Sequence, residues 1–127
     1  MVRMRSHQHK QICSGALIMA KLGLLKNLTA TTHPRAKDEL QSFGIVVLDQ
    51  PLVCHGNIAT AGGCLAAIYL VGWMLEILYG PEKRDEALKE IIPVGQNQAY
   101  QNLISSSIQH GMGTAANQRT LFFSSKL

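Results

Sequence analysis

Residues 12–25 decide the fold: they read Ile-Cys-Ser-Gly-Ala-Leu-Ile-Met-Ala-Lys-Leu-Gly-Leu-Leu. The preceding segment, His9–Ile12, predicts a short strand. Ser14–Leu25 contains only two polar side chains, which predicts a helix that is buried on most sides. Cys13 therefore stands in a sharp strand-to-helix turn. That is the geometry of a nucleophile elbow, with cysteine where many hydrolases have serine.

Short apolar segments alternate with helices along the next part of the chain. Leu28–Thr32 and Ile45–Leu48 predict strands, and Arg35–Ser42 predicts a helix between them. Leu52–Cys54 and Asn57–Thr60 flank His-Gly and predict a hairpin. This alternation indicates an α/β layer fold with a largely parallel sheet. Ligands of such sheets gather where the strands end, which directs attention to Cys13 and to Thr32-His33.

The long uncharged run from Pro51 to Leu75 contains a helix rather than a membrane span. Its length exceeds the about 20 residues that a span needs, but a turn and Gly62-Gly63 interrupt it. We therefore expect a buried core helix over Cys64–Tyr79, with Cys64 in the core. Glu82–Ile92 follows as a surface helix with one apolar stripe, and Asp85 and Lys89 are spaced for an ion pair.

The remaining sequence is polar and has no clear period. We expect at most one weak helix there, Gln98–Gln109, and a frayed end from His110 to Leu127. The predicted organisation is a basic tail over 1–10, a domain over 11–95 and a weakly structured extension over 96–127.

The elbow gives Cys13 a physical reason to be reactive. A thiol at a helix N-terminus lies near unpaired N–H groups and the positive end of the helix dipole, which stabilise a thiolate. Gly15 lets the helix start close to the strand, and the N–H of Ser14 is placed to stabilise an oxyanion. The alternative for Cys13 is a buried, unreactive cysteine.

Three segments together resemble the ThiJ/PfpI superfamily, the DJ-type branch of the class I glutamine amidotransferase-like proteins. They are the elbow segment 12–25, the segment Thr31-Thr32-His33-Pro34, and the glycine-rich turn over 56–63 that leads into an apolar helix. The resemblance covers about residues 11–92 and matches only the C-terminal half of such a domain. It implies a partial flavodoxin-like or Rossmann-like three-layer sandwich with a mostly parallel sheet, which lacks its N-terminal strands.

The similarity is strongest to isonitrile hydratase-like members, which implies specific roles for the site residues. In those proteins a cysteine attacks the substrate carbon and the next residue, a hydroxyl, assists; Cys13 and Ser14 have these positions here. A helix N-cap explains Ser14 equally well. For His33 we favour a hydrogen-bonded pocket-wall residue over a catalytic base. Thr60 and Gly62 are expected at the pocket, with Gly15.

Cys54-His55-Gly56 places a cysteine next to a histidine, as a catalytic pair would be. It lies in a predicted hairpin, where no helix dipole acts on the thiol, so we interpret it as a decoy.

Composition restricts the partners and cofactors. The apolar fraction of 46% and charged fraction of 16% are those of a globular protein. The net charge of +4 is concentrated near Arg3, Arg5 and Lys10 without interleaved aromatic residues, so no nucleic-acid partner is expected. Three cysteines without a C-x-x-C pair favour a reducing cytoplasm over a disulfide or zinc framework. We expect no metal, no cofactor and no membrane partner.

One expected element is absent. Relatives carry an acidic residue before the elbow that meets the cysteine, but residues 2–12 contain no acid here. We expect a truncated domain whose apolar elbow helix is partly uncovered and which associates as a homodimer or through an exposed sheet edge. Two functions remain open: a cysteine-dependent hydratase or hydrolase for a small substrate, and a non-catalytic ligand-binding or redox-responsive remnant.

Overall fold

The computed structural model describes residues 15–124, and side chains over residues 15–113. The predicted strand His9–Ile12 and the elbow residues Cys13 and Ser14 lie outside these ranges. The described part of the chain is a mixed α/β structure, as predicted.

Its first helix is shorter than the sequence indicated. Helix α1 spans Gly15–Lys21, so it ends before the predicted end at Leu25. The chain leaves the helix because Gly23 adopts a left-handed φ of 76°. The N–H of Leu24 donates to the carbonyl of Met19 and that of Gly23 to the carbonyl of Ala20, both at 3.0 Å, which is a Schellman C-cap.

Two strand pairs follow. Strand β1 (Thr29–Ala30) pairs in parallel with β2 (Val46–Val47), which confirms the predicted parallel arrangement. A 3₁₀ turn, Pro34–Ala36, and helix α2, Lys37–Ser42, connect them. Strands β3 (Leu52–His55) and β4 (Ile58–Ala61) form the predicted antiparallel hairpin.

Three helices complete the described chain. A 3₁₀ turn, Cys64–Ala66, leads into α3 (Ala67–Tyr79), and α4 (Pro81–Leu88) follows after Gly80. Helix α5 spans Asn97–Ser124. The predicted helix Gln98–Gln109 lies within α5, but α5 continues beyond it to Ser124, so a frayed end from His110 onwards is wrong for the described backbone. Ile104 and Ile108 lie one turn apart, are 0% and 1% exposed, and pack in the core with β3.

The core has two parts. One joins α1 and α2 to β1 and includes Leu17, Leu25 and Leu40. The other joins β3 to α3, α4 and α5. It consists of Leu52, Cys54, Trp73, Leu88, Ile92, Ile104 and Ile108.

Both apolar helices are less covered than the sequence suggested. In and after α1, Ile18, Leu22 and Leu24 are exposed, so burial on most sides is wrong and the partly uncovered surface is confirmed. In α3 only Gly72 and Trp73 are buried, so this helix is covered along one side rather than all round. In both helices, several large apolar side chains are exposed to solvent.

Candidate functional site

A cavity of about 290 Å³ lies where α1 begins and β4 leads into the turn before α3. Gly15 and Met19 line it from α1, Thr60 from β4, and Cys64 from the start of the 3₁₀ turn. Two residues that the sequence predicted at a pocket, Gly15 and Thr60, are therefore brought to one cavity. The other lining side chains are largely alanine and leucine, so its walls are mainly apolar.

Threonine side chains fix the wall of this cavity. The N–H of Thr31 donates to Oγ1 of Thr60 at 2.9 Å, which ties the end of β1 to β4. The Thr31 hydroxyl donates in turn to the carbonyl of Gln50 at 2.6 Å. Thr31 and Thr60 are 2% and 5% exposed, so these bonds are shielded from water. The loop after β1 is thereby held in place beside the hairpin.

Thr32 is different from its neighbours. It lines the cavity and is only 7% exposed, yet its hydroxyl has no hydrogen-bond partner within the described part of the chain. An unsatisfied buried hydroxyl costs about 1–3 kcal/mol. A ligand with a hydrogen-bonding atom would satisfy it.

Gly62, which was also predicted at the pocket, does not line the cavity at the start of α1. It lines a second cavity of about 320 Å³ at the C-terminal ends of β1 and β2, together with Lys37 and Asp49. A Cβ atom on Gly62 would lie 2.6 Å from Oγ1 of Thr31 and 3.0 Å from the carbonyl oxygen of Gln50. Glycine is required here because the hydrogen bond between those two residues occupies the space.

Replacing Gly62 with alanine is expected to destabilise the protein by about 2 kcal/mol, because the new methyl group overpacks against backbone and a short hydrogen bond. Gly44→Ala is not a suitable control, since Gly44 has a φ of 78°. Gly113→Ala is suitable, because a Cβ there would meet nothing within 4 Å. Urea denaturation of both variants tests the expectation; equal stability of the two would contradict it.

His33 does not line either of these cavities. Its ring Nδ1 accepts a hydrogen bond from the N–H of Arg35 at 3.2 Å and so caps the 3₁₀ turn Pro34–Ala36. The structure thus gives this histidine a local structural contact. Its role as a pocket-wall residue or base stays a prediction.

Cys54 and His55 lie on β3, in the hairpin that the sequence indicated. Burial, together with the nearby charge of Glu76, raises the pKa of the Cys54 thiol to about 12. The His55 ring Nε2 is hydrogen-bonded to Oγ1 of Thr29 at 2.9 Å, away from a catalytic arrangement with Cys54. A thiol with so high a pKa is a poor nucleophile at neutral pH.

The raised pKa predicts a pH dependence of stability. Folded Cys54 keeps its proton while the unfolded chain releases it above the ordinary pKa of 9.0. The stabilisation that the protonated Cys54 thiol gives the folded state is therefore complete below pH 9 and is lost as the pH rises from 9 to 12. Over this range the free energy of unfolding falls by at most about 1.4 kcal/mol per pH unit. The difference between the unfolding free energies of wild type and Cys54→Ala, measured by urea denaturation from pH 8 to 11, isolates this slope. A constant difference would contradict the prediction.

Sequence reasoning missed two features of the cavity. Cys64, expected in the core, is exposed and lines the cavity, because Gly63 with a φ of 113° turns the chain just before it. Gly62-Gly63 could have signalled this, since a helix start after two glycines presents its first side chain beside a loop. The unpaired hydroxyl of Thr32 has no signal in the sequence.

The described residues form neither a cluster of metal ligands nor a membrane-spanning helix. Among the described residues, no three side chains of histidine, cysteine, aspartate or glutamate lie together as metal ligands would. Over the same part of the chain, none of the helices combines the length and apolarity needed to cross a bilayer.

The parallel pair, the hairpin and the cavity beside the first helix define a partial α/β domain with a small-molecule-sized site. The model of the DJ-1/PfpI family matches residues 6–78 of the chain, which is more than half of it. The chain belongs to the DJ-1/PfpI family.

Three relatives match this chain, each over only part of its own length. An isonitrile hydratase of Pseudomonas putida is 37% identical over 57 residues, which are 45% of this chain and 25% of that protein. A glutathione-independent glyoxalase DJ-1 of Schizosaccharomyces pombe is 32% identical over 80 residues, 63% of this chain and 41% of the relative. An uncharacterized protein of Methanocaldococcus jannaschii is 34% identical over 77 residues, 59% and 36% respectively. The chain thus spans less than half of each of these relatives.

Proposed function

We propose that the protein is a cysteine-dependent hydratase or hydrolase that acts on a small carbon–nitrogen or carbonyl substrate, with Cys13 as the nucleophile. The observation that carries this proposal is the cavity at the start of α1. Gly15 lines it, and two peptide units between Gly15 and Cys13 limit the distance between their Cα atoms to about 7 Å. This limit supports the proposal that Cys13 serves the cavity.

The similarity to isonitrile hydratase and to a glyoxalase supports a small electrophilic carbon as the point of attack. In the proposed isonitrile reaction, the Cys13 thiolate forms a bond to the terminal carbon and that carbon takes up a proton, which gives a thioimidate. Water then adds across the carbon–nitrogen double bond, with its hydroxyl on the carbon and one proton on the nitrogen. The sulfur–carbon bond breaks as the hydroxyl releases its proton, which balances the proton taken up earlier, and an N-substituted formamide leaves. The thiolate is regenerated and no oxidant is consumed.

Described residues supply part of the machinery for this reaction. Thr32 lines the cavity, and its buried hydroxyl has no partner in the described part of the chain, so we propose that it binds a polar atom of the substrate. The mainly apolar walls suit the organic substituent. Ser14 is proposed to assist the proton transfer, with the helix N-cap role as its alternative.

The experiment measures consumption of cyclohexyl isocyanide and formation of its formamide by the complete chain. Wild type is expected to be active and Cys13→Ser inactive, with a loss of at least about 1,000-fold, because the serine hydroxyl is not ionised at neutral pH. Cys54→Ala is the matched control, since this thiol is buried and has a raised pKa. Its activity is expected to equal that of wild type. Activity that survives in Cys13→Ser would overturn the assignment.

One observation favours a second function. No carboxylate lines the cavity among the residues whose side chains are described, so the acid that meets the cysteine in relatives has no counterpart there. The alternative is therefore a non-catalytic ligand-binding or redox-responsive domain. Wild-type chain that binds the isonitrile without turnover would favour this alternative over the hydratase.

Two further parts of the proposal concern the setting of the protein. We propose a homodimer, because Ile18, Leu22 and Leu78 leave apolar surface exposed. We propose the reducing cytoplasm as its compartment, on the grounds of the cysteine pattern. Sedimentation of the complete chain at micromolar concentrations tests the first of these.

A further inference from the structure

Cys64 and Thr32 offer a chemistry in the cavity that does not depend on Cys13. Cys64 is exposed and Thr32 is 7% exposed, and both line the same cavity of about 290 Å³. The thiol is a soft nucleophile, and the threonine hydroxyl is a hydrogen-bond donor without a partner in the described part of the chain. A nucleophile and an unused donor on two residues that line one apolar cavity suit an electrophile that carries an oxygen acceptor.

We propose that this cavity binds small α,β-unsaturated carbonyl compounds and that Cys64 adds to them, with the carbonyl oxygen on the Thr32 hydroxyl. The apolar lining from Ala59, Met19 and Leu70 would hold the carbon skeleton. The volume is about that of ten water molecules, which is enough for a ring of six carbons. The ligand class follows from the pairing of a soft sulfur with a single neutral donor.

The addition needs no oxidant or reductant. The Cys64 sulfur, after losing its proton to water, forms a bond to the β-carbon, and the electron pair of the carbon–carbon double bond moves to make an enolate. The Thr32 hydroxyl donates to the enolate oxygen, where the charge develops. The α-carbon then takes a proton from water, so that the proton lost by the thiol is balanced by the one gained at carbon.

The two cysteines in the described part of the chain differ in exposure. Cys54 is 2% exposed within β3, while Cys64 is exposed at the cavity. Addition to the folded protein is therefore expected at Cys64 and not at Cys54. Peptide mapping by mass spectrometry separates the two sites directly.

The experiment uses 2-cyclohexen-1-one on the complete chain carrying Cys13→Ser, so that a failure of the proposed catalytic role does not affect the result. The rate of adduct formation at Cys64 is expected to saturate as the enone concentration rises, because binding precedes addition. Thr32→Val is expected to slow this rate about three- to tenfold, which corresponds to loss of one hydrogen bond to the carbonyl. Thr32→Ser keeps the hydroxyl and is expected to retain the rate.

Methyl methanethiosulfonate serves as the control reagent, because it modifies thiols without presenting a carbonyl oxygen. Its rate at Cys64 is expected to be the same in all three variants. Thr32→Val is expected to fold, since replacing an unsatisfied buried hydroxyl by a methyl group removes a desolvation cost. A rate that rises linearly with enone concentration and is unchanged in Thr32→Val would overturn the proposal and leave Cys64 as an exposed thiol only.

Discussion

Ile104→Ala is expected to destabilise the protein by about 3 kcal/mol, the usual cost of emptying a fully buried aliphatic site. Ile104 is 0% exposed and projects from α5 into the core that α5 shares with α3. A Cβ atom on Gly72 of α3 would lie only 2.8 Å from its Cγ2 atom, so the two helices are in close contact at this point. Truncation removes that contact and leaves a cavity that the helix backbones cannot fill.

Urea denaturation of the complete chain measures this loss as a shift of the midpoint. The matched control is Leu103→Ala, one position earlier on the same helix, because Leu103 is 48% exposed. Its expected cost is below about 1 kcal/mol, in keeping with a surface substitution. Similar losses in the two variants would show that α5 does not pack on the core in solution.

The sequence predicted the elements whose signals are local. Pro34 at the start of a helix, Gly44 after it, and Gly56 in the hairpin turn are each recognised from a few neighbouring residues. The helix and the hairpin are confirmed, with the hairpin turn one residue later than the predicted His55-Gly56. Helix α5 has no such signal at its ends, and its apolar residues are too sparse to show a period. Its position depends on Ile104 and Ile108 meeting β3 and α3, which is tertiary information.

The sequence likewise predicted some residues of the candidate site and missed others. Gly15 was expected at a pocket because it belongs to the elbow turn, and Thr60 because it belongs to the glycine-rich turn of the family resemblance; both line the cavity. Cys64 was missed because the apolar run after Gly62-Gly63 was interpreted as core, and an apolar run does not show which of its sides is covered. Helix α3 is buried only along the side that bears Gly72 and Trp73, so residues on its other sides are exposed despite their apolar neighbours.

Arg84 is the clearest example of tertiary structure that overrides a surface pattern. It belongs to a highly charged segment that indicated a solvent-facing helix, yet its side chain is 5% exposed. Its Nη1 donates to Oε2 of Glu76 on α3, and its Nε donates to Oδ1 of Asp85, each at 2.9 Å. Burial alone would lower the pKa of the Arg84 guanidinium, but the hydrogen bonds and charges of Asp85 and Glu76 outweigh this and raise it.

Arg84→Met is therefore expected to cost about 2 kcal/mol of unfolding free energy. Breaking a buried ion pair typically costs about 3–5 kcal/mol. The lower value applies because Glu76 and Asp85 are 30% and 33% exposed and water solvates them when the cation is lost. The measurement is urea denaturation at neutral pH.

A neighbouring pair provides the control that isolates the burial of Arg84. Lys83 and Glu86 lie 3.4 Å apart on the same helix, with side chains 70% and 71% exposed. Lys83→Met is expected to change stability by less than about 0.5 kcal/mol, as exposed pairs do. Arg84→Met alone leaves the carboxylates of Glu76 and Asp85 without their cation, whereas the double variant with Glu76→Gln leaves only that of Asp85. The double variant is therefore expected to lose less unfolding free energy than the sum of the losses in the two single variants. Strict additivity would mean that Arg84 stabilises the joint between α3 and α4 through the packing of its carbon stem and not through Glu76.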